Sequence, residues 1–101
     1  MSKVMVRYKV KPECAQENEE LVRAVYEELE RTGPAGLQYA TFRLDDGVSF
    51  VHVASSATED GSNPLVEVKA FQEFQKHVIE RCEEPPVASR LDEVGSFRFW
   101  Q

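Results

Sequence analysis

The chain has 101 residues, 42% hydrophobic and 30% charged, the mix of one folded domain spanning residues 1–101 rather than of a disordered or membrane-embedded segment. Its formal net charge is −6 and its basic residues are scattered, Lys9 and Lys11 coming nearest to a cluster, so neither nucleic acid nor an anionic membrane is an expected partner. Cys14 and Cys82 are too few for a disulfide framework and fit no zinc spacing, the start MSKVMVRYKV is too short and polar for a signal peptide, and no apolar run reaches membrane-spanning length. Free thiols in a reducing cytoplasm are expected.

VMVRYKVK, residues 4–11, alternates. Val4, Val6, Tyr8 and Val10 fall on one face, and Met5, Arg7, Lys9 and Lys11 on the other, which predicts a strand that Pro12 stops. From Cys14 the period becomes helical, with Leu21, Val22, Val25 and Leu29 on one side and Glu17, Glu19 and Glu20 early, where the helix dipole favours negative charge. Gly33 and Pro34 end this helix. Residues 36–57 read as a hairpin with DDG at its turn. TEDGSNP, residues 58–64, is a polar loop in which Asn63 is a plausible N-cap and Pro64 stands near a helix start. A second helix is expected over residues 65–84, with Phe71, Phe74, Val78 and Cys82 on one stripe, broken by EPPV. A last strand is expected in LDEVGSFRFW, residues 91–100, and the acidic runs EELER and ERCEE read as solvated helix faces.

The order β-α-β-β-α-β with right-handed crossovers gives an α+β, ferredoxin-like, four-stranded antiparallel sheet with both helices on one face. The other face is then bare, yet both hairpin arms carry large apolar groups on both sides: Leu37 and Tyr39 against Phe42 and Leu44, Phe50 against Val51 and Val53. A patch of that kind marks an interface, and a two-fold homodimer through the open sheet face is expected.

The chain has two histidines. His52 is mid-strand on the side of Phe50 and Ala54, either as a hydrogen-bonded core or interface residue or as a base in a pocket. A two-residue Asp46-Gly47 turn puts Arg43, Thr41 and Tyr39 on its face, a cluster able to bind an anion or a phenol. A three-residue turn from Asp45 puts Gln38, Ala40 and Phe42 there instead; the Asp-Gly pair favours the first. His77 lies at the edge of the apolar helix stripe, a boundary position. Tyr8, Tyr26, Tyr39 and Trp100 could line an aromatic slot or simply fill the core. No nucleophile elbow, phosphate loop, dinucleotide fingerprint or metal-ligand spacing is present.

With YKVKP leading into an acidic first helix, a tight hairpin, a phenylalanine-rich second helix and a short final strand, the chain resembles the dimeric α+β barrel superfamily, and within it the antibiotic-biosynthesis monooxygenase-like domains. The resemblance implies a pocket between the sheet and its own helices. It also implies one of three things: cofactor-independent oxygenation of quinol-like or polycyclic aromatic substrates, haem degradation, or a domain with no known reaction. Haem-degrading relatives ligate iron through a helix histidine and carry an asparagine on the first strand and a tryptophan near the pocket. Here His77 is on the second helix, VMVRYKV has no asparagine, and the sole tryptophan is Trp100, which speaks against that branch. The leading expectation is a monooxygenase-like enzyme for a small phenol or quinol that needs neither metal nor other cofactor, with His52 as base and Arg43 and Tyr39 as orienting or anion-stabilising groups. The alternative is a non-catalytic module that binds a small apolar or aromatic ligand or a neighbouring protein.

Overall fold

A computed structural model describes residues 2–56 and 63–99; residue 57 of the expected hairpin, residues 58–62 of the expected polar loop, and Trp100 lie outside the described residues. β1 (Ser2–Val10) leads through a short 3-10 turn, Pro12–Cys14, into α1 (Ala15–Thr32). β2 (Leu37–Arg43) and β3 (Ser49–Ser56) form the hairpin; α2 (Lys69–Lys76), α3 (Val78–Arg81) and β4 (Cys82–Arg90) complete the order. The sheet runs β2-β3-β1-β4 with every neighbouring pair antiparallel. This is the ferredoxin-like topology expected from the sequence. No helix among the described residues is long and apolar enough to cross a membrane.

α1 ends as its sequence requires. Gly33 takes a left-handed φ of 53° and donates its N–H to the Leu29 carbonyl at 2.7 Å. Its core-facing stripe, Ala15, Val22 and Val25, packs with Tyr8 and Val10 of β1, Phe50 and Ala54 of β3, and Phe74 of α2 in one buried cluster. The helices therefore cover the even-numbered face of β1 and β3.

The hairpin has the register that pairs Thr41 with His52 and Arg43 with Phe50. The loop that sets it is longer than a two-residue turn. Gly47 N–H closes on the Leu44 carbonyl at 3.0 Å, and the Asp46 carboxylate accepts the backbone N–H groups of Val48 and Ser49 and the Ser49 hydroxyl. These bonds, the Ser49 hydroxyl foremost, pull the Asp46 carboxyl down to about 2.

Three expectations are corrected. The second helix is not continuous over residues 65–84: Pro64–Glu67 is a 3-10 turn capped by Asn63, whose side chain accepts Leu65 N–H at 3.0 Å, and the helix breaks again at His77. The last strand is Cys82–Arg90, containing the supposed breaker EPPV, and residues 91–99 form no strand. β4 is an edge strand, and its pairing with β1 shifts between Arg7 and Lys9, where Pro85 and Pro86 fall. Proline has no N–H to lose there. Downstream, Arg98 has a φ of 57°, which ends any extended alternation. Finally, the acidic runs are more than solvated faces. Glu28 accepts the N–H groups of Lys69 and Ala70 at 3.0 and 2.9 Å, capping α2 from α1, and Arg81 is buried at 4% exposure.

The odd-numbered face carries no helix. Phe42, Val51, Arg7 and Val87 form one row across the four strands, and Ala40, Val53, Met5 and Ser89 the next. Phe42 is 50% and Val87 63% exposed, so this face is open in the single chain.

Candidate functional site

The helix-covered face brings together the chemistry. Tyr8 on β1, His52 on β3, and Tyr39 and Thr41 on β2 all point to that side, because each lies an even number of residues from its neighbours there. Between them and α2 lies a cleft of about 330 Å³. Tyr8, Tyr39 and His52 line its sheet side, and Phe71, Phe74 and Gln75 its helix side. The rings are in mutual contact: His52 is 5.3 Å from both Tyr8 and Phe74 between centroids, and Tyr39 meets Phe71 edge-on at 6.3 Å. The cleft lies between the sheet and its own helices, as the resemblance implied.

His52 is 6% exposed and held at both nitrogens. Nε2 is 2.8 Å from the Tyr8 hydroxyl; Nδ1 is 2.6 Å from the Tyr39 hydroxyl and 3.2 Å from Thr41 Oγ1. The chain of contacts continues on both sides. Tyr8 accepts from Asn18 Nδ2 at 2.9 Å, and Asn18 Oδ1 accepts from Arg81 Nε at 3.1 Å. Thr41 is 2.7 Å from the Tyr26 hydroxyl. Burial with no acidic neighbour pushes the His52 pKa down to about 4, so the imidazole is neutral near pH 7. Burial raises the phenols of Tyr8 and Tyr39 far above their ordinary range and that of Tyr26 to about 12.

Of the three residues singled out for catalysis, His52 and Tyr39 meet at the cleft. Arg43 shares their face of the sheet but points elsewhere. Its Nη1 pairs with Glu19 at 2.8 Å, its Nε donates to the Gly47 carbonyl at 2.8 Å, and it lies over the Phe50 ring, outside the cleft. His77 is half-exposed and pairs with Glu80 at 3.2 Å, also away from the cleft. Among the described residues no three His, Cys, Asp or Glu side chains converge to hold a metal ion, and Cys14 and Cys82 are half-buried free thiols.

Two members of the buried chain, Asn18 and Arg81, escaped the sequence reading. One signal was there. Asn18, Val22 and Val25 lie at helical spacing on the core stripe, so a fully buried amide was due a specific partner. Arg81, three residues beyond Val78, was hidden by the acidic residues around it.

No protein-family model and no curated protein matches the chain. Solved structures do. An antibiotic biosynthesis monooxygenase is 20% identical with a TM-score of 0.75, over 94% of this chain and 100% of that one. SnoaB, a cofactor-independent oxygenase from Streptomyces nogalater, is 13% identical with a TM-score of 0.69, over 97% of both chains. A protein of unknown function from Nitrosomonas europaea is 11% identical with a TM-score of 0.72, over 95% of this chain and 91% of that one. At these identities the likeness is one of fold: the chain shares the ferredoxin-like α+β fold of these structures.

Proposed function

We propose that the cleft binds a small aromatic hydroxyl compound, a phenol or quinol, and oxygenates it without metal or flavin. The observation that carries this reading is a buried, neutral His52 gripped by two tyrosine hydroxyls on the wall of an aromatic-lined cleft. In such a reaction the substrate supplies the electrons. Its anion reduces dioxygen, one oxygen atom ends on a ring carbon, the other leaves as water, and a hydroquinone-level ring becomes a quinone. The protein has to bind the ring, favour the ionised hydroxyl and keep bulk water away. Phe71 and Phe74 are placed for the first task. In this reading Tyr39, backed by His52, meets the second as a hydrogen-bond donor to the anion. Arg43, tied to Glu19, is assigned to holding β2 against α1.

The functional unit in this reading is a two-fold homodimer built on the open sheet face, whose rows around Val51 and Val53 can meet their own copies about an axis. A cytoplasmic setting fits the two unpaired thiols.

One observation favours a second reading, a non-catalytic binding module: both nitrogens of His52 are already occupied by protein hydroxyls. Oxygen uptake by the purified protein over a panel of phenols and quinols, with His52→Ala alongside, separates the two. Uptake that disappears in a folded His52→Ala supports the oxygenase. Saturable binding of a panel member with no uptake supports the module.

A further inference from the structure

Arg81 has only hydrogens to offer. Its Nε–H donates to Asn18 Oδ1 at 3.1 Å and its Nη2 to the Phe74 carbonyl at 2.9 Å, with the guanidinium over the Phe74 ring. That decides how the Asn18 amide is turned: oxygen towards Arg81, nitrogen towards Tyr8, to which it donates at 2.9 Å. The Tyr8 oxygen is thus an acceptor on that side. Its own hydrogen has one acceptor among the described residues, Nε2 of His52 at 2.8 Å. Were Nε2 protonated, the Tyr8 hydrogen would be buried among Phe50, Phe74 and the imidazole with no partner.

A neutral imidazole carries one N–H. With Nε2 accepting, that hydrogen is on Nδ1 and goes to the Tyr39 oxygen at 2.6 Å, with Thr41 beside it at 3.2 Å. Tyr39 then keeps its own hydrogen to give, and it lines the cleft. Every link points the same way, outward from the Arg81 cation.

We propose that Arg81 and Asn18 are positioning residues that set this direction, and that a chain so directed makes the cleft a receptor for the phenolate form of an aromatic hydroxyl compound. The second half rests on the reading that the cleft takes such a compound. A hydroxyl donor backed by donors that end on a cation stabilises an anionic oxygen. The same chain leaves His52 no free lone pair for a proton from the cleft: Nδ1 carries its own, and Nε2 is engaged by Tyr8.

The test is the protonation pattern of the His52 imidazole in the full chain labelled with heavy nitrogen, read from long-range proton–nitrogen correlations at neutral pH, with His77→Gln to assign the signals. The expected pattern is a protonated Nδ1 and a bare Nε2. In Asn18→Asp the new carboxylate accepts from Arg81 and from Tyr8 together, Tyr8 turns its hydrogen away from His52, and the two nitrogens exchange patterns. A protonated Nε2 in the wild type, or an unchanged pattern in a folded Asn18→Asp, overturns the proposal. The wild-type spectrum needs no variant, so failure of Asn18→Asp to fold still leaves the direction decided. For the receptor, para-nitrophenol is titrated by absorbance. Wild type is expected to bind the yellow anion and lower its pKa, and Asn18→Asp to bind it roughly tenfold more weakly, about the worth of one hydrogen bond to a charged oxygen. Preference for the neutral phenol overturns the receptor alone. No binding at all overturns the receptor together with the aromatic-hydroxyl reading, while the nitrogen pattern still decides the roles of Arg81 and Asn18.

Discussion

His52 is uncharged because its burial costs the imidazolium its hydration while its partners are all hydroxyls, which repay little of it. Its pKa falls from 6.5 to about 4 on folding, so the unfolded chain takes up the proton first as pH drops. The resulting stability is present above about pH 6.5 and is lost as pH falls towards 4. The loss between about pH 7 and about pH 5 should be about 2 kcal/mol. Urea unfolding at both pH values should show it in the wild type and a flatter response in His52→Gln; equal slopes would contradict a neutral buried imidazole. Tyr8→Phe tests the same contacts differently. It leaves Nε2 and the Asn18 amide without their buried partner, and should cost about 1–3 kcal/mol in chemical denaturation at neutral pH. Much of this was legible in the sequence. Alternation placed Tyr39, Thr41 and His52 on one face once the register was chosen. What alternation cannot give is reach: Arg43 shares that face, but at the end of β2 its long side chain meets Glu19 on α1 first. Arg81 and Asn18 come from opposite ends of the chain, and only tertiary packing brings them together.

At the level of elements, local chemistry and position in the sheet pull in different directions. Gly33 shows local chemistry prevailing. An alanine there would find open space around its Cβ, so the cost of Gly33→Ala is that of the left-handed backbone alone, about 1 kcal/mol, measurable by thermal or urea unfolding. β4 shows position prevailing. Two prolines are poor strand formers, but at an edge with a shifted register they cost no ladder bond that a central strand would need. Phe97 and Phe99 looked like one face of a strand by alternation, but Arg98 between them takes a left-handed φ of 57°, which breaks the extended run. α2 has no side-chain cap of its own and borrows Glu28 from α1. Accepting the Ala70 and Lys69 N–H groups holds that carboxyl below the usual carboxylate range. Glu28→Gln should therefore raise amide exchange at the start of α2 before it affects the rest of the chain.

For the molecule as a whole, the topology was legible because element order and handedness leave few alternatives, and the apolar second face followed from the same alternation that placed the site. The dimer we propose uses that face. Val51→Asp, in the middle of the row between Phe42 and Arg7, should leave a folded monomer in sedimentation equilibrium; a dimer that persists would place the interface elsewhere. The substrate was not legible, because a cleft lined by ordinary aromatic side chains records shape and polarity rather than a reaction. The most direct measurement follows the oxygen atoms. Chelator-treated protein is given a quinol in the presence of isotopically labelled dioxygen, and the product and water are analysed by mass spectrometry for wild type and His52→Ala. The wild type should place one labelled atom in the product and one in water, and the folded variant neither above background. Unlabelled product, or equal labelling with and without His52, would contradict an oxygenase built on this cleft.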